Sequence, residues 1–238
     1  MPVRRLKDTP PLHPVARRKT VQDLVYEQLR GALMSGAFEA EANFTITALA
    51  EQFQTSHMPV REALRRLAAE GALRISTSGT AQVPAITQPE LADLCRARVI
   101  IEGAAAELAA PNLTARDIAD LAELRARQEA AGVAGRISDL VAINRAFHFH
   151  IYARAGSPVL MSQIETLWLR WGPYVRLLSD LMVDLLRTDH GGGFVRHHDL
   201  MLAALRRGDA VAFRAAMEGD IRATERLLAE RLATETGG

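Results

Sequence analysis

The chain has 238 residues, 48% hydrophobic and 24% charged. That length and composition support a substantial core and exclude a wholly disordered chain or one that needs disulfides merely to fold. Its net charge of +1 is unevenly spread, with 11 basic and 8 acidic side chains over residues 1–84 against 18 and 20 over 85–238, so charge alone names no partner. The single cysteine, Cys95, excludes an intrachain disulfide framework and a cysteine-based zinc site. The longest uncharged stretch, 75–89, is 15 residues long and rich in Ser and Thr, too short and too polar to cross a bilayer. No apolar run follows Arg4 and Arg5, so no secretory leader is expected and the chain reads as cytoplasmic. Forty alanines and thirty leucines against 5% aromatics predict a mainly α protein.

Residues 1–19 hold four prolines and six basic side chains and read as a flexible basic arm. Val21, Leu24, Val25, Leu29 and Leu33 then share one face of a helix that Gly36 ends. Ile46, Leu49, Ala50 and Phe53 mark a second, shorter helix with Thr45 as its N-cap. A third helix starts at Ser56 and runs to about Glu70, with Val60, Ala63, Leu64 and Leu67 facing inward and Gly71 closing it. Leu73–Ser76 and Ala81–Pro84 read as two short strands around Ser78-Gly79. Three short helices and a hairpin outline a winged helix-turn-helix over residues 20–86.

From residue 87 onward helical patterns recur at about 90–110, 115–131, 138–155, 158–186, 193–207 and 209–234. They are broken at Pro111, Gly132 and Gly135, Gly156-Ser157-Pro158, Gly191–Gly193 and Gly208, with a kink expected at Pro173. Residues 87–238 therefore read as a second, all-α domain of the helical-bundle kind.

The sharpest signal is the third helix. Ser56 is expected to cap its start, leaving polar groups and backbone N–H donors to face a phosphate. Arg61 and Arg65, four apart, lie opposite Leu64 and Leu67, a pattern that suits a major groove and equally a solvated basic stripe. Leu49-Ala50 through Ser56, Pro59-Val60-Arg61-Glu62-Ala63-Leu64-Arg65-Arg66-Leu67 and Glu70-Gly71 together resemble the winged-helix signature of the GntR family of bacterial transcription regulators. The resemblance covers about residues 20–84. It implies that Thr47, Ser56, His57, Met58, Arg61 and Gly79 approach operator DNA, with Arg65 beside them on the outward face. The chain departs from the family pattern in having His57-Met58 where Arg-Thr is usual, and Ala40-Glu41 where a Pro-Gly turn is usual.

Four helices of the second domain carry polar side chains within apolar stripes. Arg98 lies with Leu91, Leu94, Ile101 and Ala105; Asn144 and His148 with Leu140, Phe147 and Ile151; His198 with Met201, Leu202 and Leu205; Asp220 with Met217, Phe213 and Leu227. Buried unpaired charges are costly, so these groups predict mutual pairing or a ligand. Two imidazoles, a carboxylate and an amide oxygen suit a divalent metal of borderline softness, while each histidine alone also fits a hydrogen-bonded core residue. His150 points away from His148, and His197 is rotated by about 100° from His198.

Arg98-Val-Ile-Ile-Glu102, Asn144-Arg-Ala-Phe-His148, Gly156-Ser-Pro158 and His198 with Leu205 and Gly208-Asp209 resemble the all-helical ligand-binding domain of the FadR branch of that family, over about 88–234. The resemblance implies a divalent metal, zinc, nickel or manganese, on Asn144, His148, His198 and Asp220, with Asp220 standing where a histidine is usual. It also implies a small carboxylate effector, held by Arg98, His148 and His198. The expected function is thus a ligand-responsive transcription regulator, most often a repressor in this family, acting as a homodimer on a near-palindromic operator. The alternative is a metal- or ligand-binding helical protein, or a metalloenzyme, without sequence-specific DNA binding. No HExxH, nucleophile elbow, phosphate loop or dinucleotide fingerprint supports an enzyme.

Overall fold

The computed structural model describes residues 19–76, 79–187 and 195–236. All of the expected arm except Lys19, Ser78 of the expected hairpin turn and the expected break at Gly191–Gly193 lie outside the described residues.

The N-terminal unit is built as its local signals require. Helix α1 (Val21–Met34) opens with a reciprocal capping box between Thr20 and Asp23. Helix α2 (Ile46–Gln52) is capped by Thr45, whose side chain accepts from the Ala48 N–H. Helix α3 (His57–Ala69) has Ser56 at its N-cap position, but the serine side chain makes no cap hydrogen bond. The inward stripe Val60, Ala63, Leu64 and Leu67 is fully buried against Val25, Leu29 and Leu33 of α1 and Leu49 and Ala50 of α2.

The sheet differs from expectation in size and membership. Strands β2 (Arg74–Ile75) and β3 (Ala81–Gln82) are shorter than the expected pair, and a third strand, β1 (Asn43–Phe44), joins them in the antiparallel order β1-β3-β2. Asn43 and Arg74 lie opposite Gln82 from its two sides. A two-residue strand has no readable alternation, so β1 exists only because β3 offers it a ladder. It is entered through Glu41, a non-glycine residue at φ +63°, whose N–H donates to the Val83 carbonyl.

The second domain contains α4 (Gln88–Ala109), α5 (Ala115–Val133), α6 (Ile137–Ala153), α7 (Pro158–Arg170), α8 (Gly172–Arg187), α9 (Arg196–Arg206) and α10 (Ala210–Thr236). Helix α4 packs along α10, α10 along α9, and α5 along α6. The segment expected as one kinked helix over 158–186 is two helices that part at Trp171, not at Pro173. Proline sits in the first turn of α8, where its missing N–H loses no partner. No helix among the described residues is long and apolar enough to cross a membrane.

Cys95 is fully buried, and burial pushes its thiol up to about 12. The native chain is therefore expected to react with an aromatic disulfide at pH 8 at least 100-fold more slowly than the unfolded chain, as read by thiol release. Prompt labelling of the native protein would place Cys95 at the surface instead.

The two domains meet in a tight seam. A Cβ on Gly172, at the head of α8, would overlap the Leu33 carbonyl oxygen at the end of α1 and stand 2.8 Å from the carbonyl carbon. Gly36, at φ +70°, lies nearly as close to the backbone of α8: a Cβ there would stand 2.7 Å from the Arg176 nitrogen. Arg30 bridges the domains by pairing with Glu165 at 3.1 Å, while Arg176 reaches Glu39 at 3.5 Å.

Candidate functional site

Two sites take shape, one in each domain. In the first, Thr47 of α2, His57, Arg61 and Arg65 of α3, and Gly79 of the β2–β3 turn line one cleft of about 510 Å³. Five of the seven residues expected at DNA are thus neighbours. The remaining two, Ser56 and Met58, lie outside that lining at the exposed start of α3, and the Met58 side chain is 57% exposed. Arg61 is exposed and forms no ion pair among the described residues, whereas Arg65 pairs with Glu62 at 3.0 Å. Arg61 is therefore the freer cation. Gly79 takes φ +85°, the left-handed region that glycine enters without strain, and donates its N–H to the Ser76 carbonyl at 2.9 Å. Behind α3, Glu70 accepts from the Tyr26 hydroxyl at 2.7 Å and pairs with Arg66 at 3.3 Å, fastening the end of α3 to α1.

In the second domain His148 of α6, His198 of α9 and Asp220 of α10 each bring one ligand atom within 4.8 Å of the others. The two Nε2 atoms are 3.2 Å apart, and His148 Nε2 is 3.3 Å from Asp220 Oδ2. Both histidines are buried, and the His198 ring stacks on Phe147 at 4.0 Å.

A chain of hydrogen bonds orients His148. The Tyr152 hydroxyl donates to Glu102, so its oxygen is left to accept from His148 Nδ1 at 3.2 Å. Nδ1 thus faces an acceptor and Nε2 faces the cluster, where it donates to Asp220 or, with that proton displaced, ligates a metal, the arrangement in which an outer partner prepares a histidine to ligate. Burial lowers the pKa of His198 to about 4, overcoming the opposing pull of Asp220. Its ring is neutral at ordinary pH, with Nδ1 buried and unpartnered among the described residues. For Asp220, burial pushes the carboxyl up, but the hydrogen bond to His148 and the surrounding histidines outweigh it and hold the group down at about 2. Two imidazoles and an ionised carboxylate converging in a buried space fit a divalent cation of the zinc, nickel or manganese kind. Those three residues would hold it, with Tyr152 and Glu102 behind them.

The other sequence-selected residues are placed differently. Asn144 lines the cavity next to the cluster together with Asp220, and its Oδ1 accepts from Gln128 Nε2 at 3.1 Å. Arg98 is buried beside Glu102, with Nε donating at 2.6 Å and Nη2 at 3.2 Å. Its guanidinium stands 5.0 Å from the Trp168 ring centre and 4.5 Å from that of Trp171. Its charge is already matched within the protein, and it is not among the residues lining the cavity. His150 pairs with Asp117 at 2.9 Å, away from the cluster.

Sequence reasoning missed Gln128, Tyr152, Glu102 and Arg145. Gln128 falls on the buried stripe of Leu121 and Ala131 in α5, a readable polar interruption. Glu102 lies four residues after Arg98, a spacing that signals an ion pair. Tyr152 lies four residues after His148, on the same helix face. Arg145 had no signal, because it lies on the partly exposed side of α6.

A winged helix-turn-helix joined to an all-helical domain with an internal polar cluster is the architecture of a transcription regulator. Residues 21–83 match the model of the bacterial regulatory proteins of the gntR family, and residues 93–223 match that of the FCD domain. The chain belongs to the GntR family of transcription regulators, in the group with an FCD domain, and its relatives are regulators rather than enzymes. The HTH-type transcriptional regulator McbR of Escherichia coli (strain K12) is 34% identical over 185 residues, spanning 78% of this chain and 82% of that protein. The HTH-type transcriptional repressor GlaR of the same organism is 26% identical over 201 residues, 79% of this chain and 86% of that one. The solved structure of E. coli McbR/YncC superposes with a TM-score of 0.80 at 30% identity, covering 90% of this chain and 99% of that one.

Proposed function

We propose that the chain is a homodimeric repressor whose operator affinity is set by a small carboxylate, a divalent metal, or both, bound in the helical domain. The observation that carries this reading is the gathering of Thr47, His57, Arg61, Arg65 and Gly79 around one cleft, with Arg61 exposed and unpaired among the described residues. In it, residues 20–86 contact DNA, 87–238 sense the effector and form the dimer, and 1–19 add phosphate attraction. Two winged helices related by a two-fold axis contact two half-sites. Effector and operator affinity are then linked, each changing the other by the same factor.

The test is fluorescence anisotropy on DNA flanking the protein's own gene, with excess random competitor. Arg61→Ala is expected to weaken specific binding by about 1–3 kcal/mol, roughly 5- to 150-fold, while leaving binding to random DNA nearly unchanged. An equal loss on both DNAs assigns Arg61 to phosphate contact. Wild-type binding that vanishes with competitor removes the operator reading for that DNA and favours the helical domain as the working part.

A further inference from the structure

The chain has two tryptophans, and both, Trp168 and Trp171, line the cavity of about 300 Å³ that adjoins His148, His198 and Asp220. Its volume is at the small end of the roughly 300–1,000 Å³ typical of small-molecule sites. Most of the remaining wall is apolar, with Val141, Leu178, Met182 and Leu227 among its members. Its neutral polar members are Gln128, Asn144, His197 and Thr224, so a second or third carboxylate of a di- or tricarboxylate would face that apolar wall or the like charge of Asp220, at a cost in affinity.

The charged side chains on the lining are Asp220 and Arg145. Asp220 is engaged with His148, whereas Arg145 forms no ion pair among the described residues. Arg145 and Met34 also line the two open clefts on either side, one containing Arg30 and Glu165, the other Gly36 and Arg176. Those two residues therefore stand at the mouth. Met34 belongs to α1 of the DNA-binding unit, so part of the cavity wall is supplied from across the domain seam.

Resting on the reading of this cavity as the effector site, we infer that its ligand is an amphipathic monocarboxylate, with a medium-length alkyl chain or an aromatic ring as its tail. The carboxylate pairs with Arg145 at the mouth and the tail runs inward against Trp168, Trp171 and Leu178. An ionised head on a planar guanidinium and an apolar tail on aromatic walls match the two chemistries the cavity presents. Because Met34 touches the same space, an occupant bears directly on the end of α1.

Both tryptophans face the ligand, so intrinsic fluorescence of the full-length chain reads binding without a label. Metal-stripped protein is titrated with butyrate, hexanoate, octanoate and 3-phenylpropionate, and with lactate and citrate, then again after zinc loading. Affinity is expected to tighten by about fourfold per added methylene until the chain fills the cavity, with lactate and citrate the weakest. Arg145→Gln is expected to weaken octanoate at least tenfold and to leave octan-1-ol unchanged; Arg145→Lys retains part of the acid's affinity. Lactate or citrate binding more tightly than octanoate, with no dependence on chain length, overturns the inference while leaving the cavity an effector site. Acid binding seen only in the zinc-loaded protein and untouched by Arg145→Gln overturns it by moving the head to the metal. No fluorescence change with any acid removes the effector-site reading itself. The chain-length series is made on the unaltered protein, so it decides the matter even if a variant fails to fold.

Discussion

Replacing Gly172 with alanine is expected to destabilise the chain by about 1–3 kcal/mol, the range of an overpacked core position, and to loosen the joint between its two domains. The added methyl would overlap the Leu33 carbonyl oxygen and stand 2.8 Å from its carbon. Both are backbone atoms of α1, so no side-chain rotation relieves the contact. Either α1 or the head of α8 must retreat by roughly 1 Å or more to reach ordinary van der Waals separation. Retreat opens the seam held by Arg30–Glu165 and Arg176–Glu39 and draws Met34 away from the cavity. Denaturant unfolding measures the stability change, and hydrogen exchange at α1 and α7 locates it. As a control, Gly135→Ala touches no neighbour within 4 Å and carries only the strain of its positive φ; protection in α1 should be unchanged there. A Gly172→Ala chain with wild-type stability and wild-type exchange at both helices would show that the domains do not rely on this seam.

His148→Ala is expected to abolish stoichiometric uptake of zinc, nickel or manganese, measured by elemental analysis after loading and desalting. His148 Nε2 lies close to both other donors, at 3.2 Å from His198 and 3.3 Å from Asp220, so its removal leaves a two-ligand remnant. Tyr152→Phe should leave all three ligands in place yet weaken the metal by about 10- to 100-fold, the usual cost of losing an outer partner. That variant removes the oxygen that accepts from His148 Nδ1 and frees the ring to take the wrong tautomer. It also takes a donor from Glu102, but the bidentate contact with Arg98 remains. Full metal occupancy in His148→Ala would sink the site. Equal affinity in Tyr152→Phe and the wild type would reduce the tyrosine to packing.

What can be read from sequence follows from how far apart the interacting residues lie in the chain. The extents of α1, α2 and α3 are legible because caps and stripes are local: the Val21–Leu33 stripe, Thr45 and the Val60–Leu67 face each act over a few turns at most. The break between α7 and α8 is misplaced by sequence because the proline signal is real but is satisfied inside the first turn of a helix as well as at a kink. Strand β1 is invisible because its reason is β3, almost forty residues later.

For the site, the sequence by itself determined that Arg98, His148 and His198 would be buried, whereas the buried Glu102, Asp117 and Gln128 were not singled out and Asn144 and Asp220 are only half-buried. The stripes carrying Arg98, His148 and His198 are buried as their periodicity requires, and burying polar groups forces them to find partners. Which partners they find is decided only when helices pack. Arg98 pairs with Glu102 one turn along its own helix, as their spacing signals, but the two tryptophans beside its guanidinium come from the end of α7. His148, His198 and Asp220 converged because α6, α9 and α10 meet at one level. Arg145 and Met34 came to the cavity's mouth from a partly exposed helix face and from the other domain, positions with no shared signature in the chain. Local periodicity encodes burial because water is everywhere the same; partnership depends on the relative placement of helices, which only the folded packing supplies.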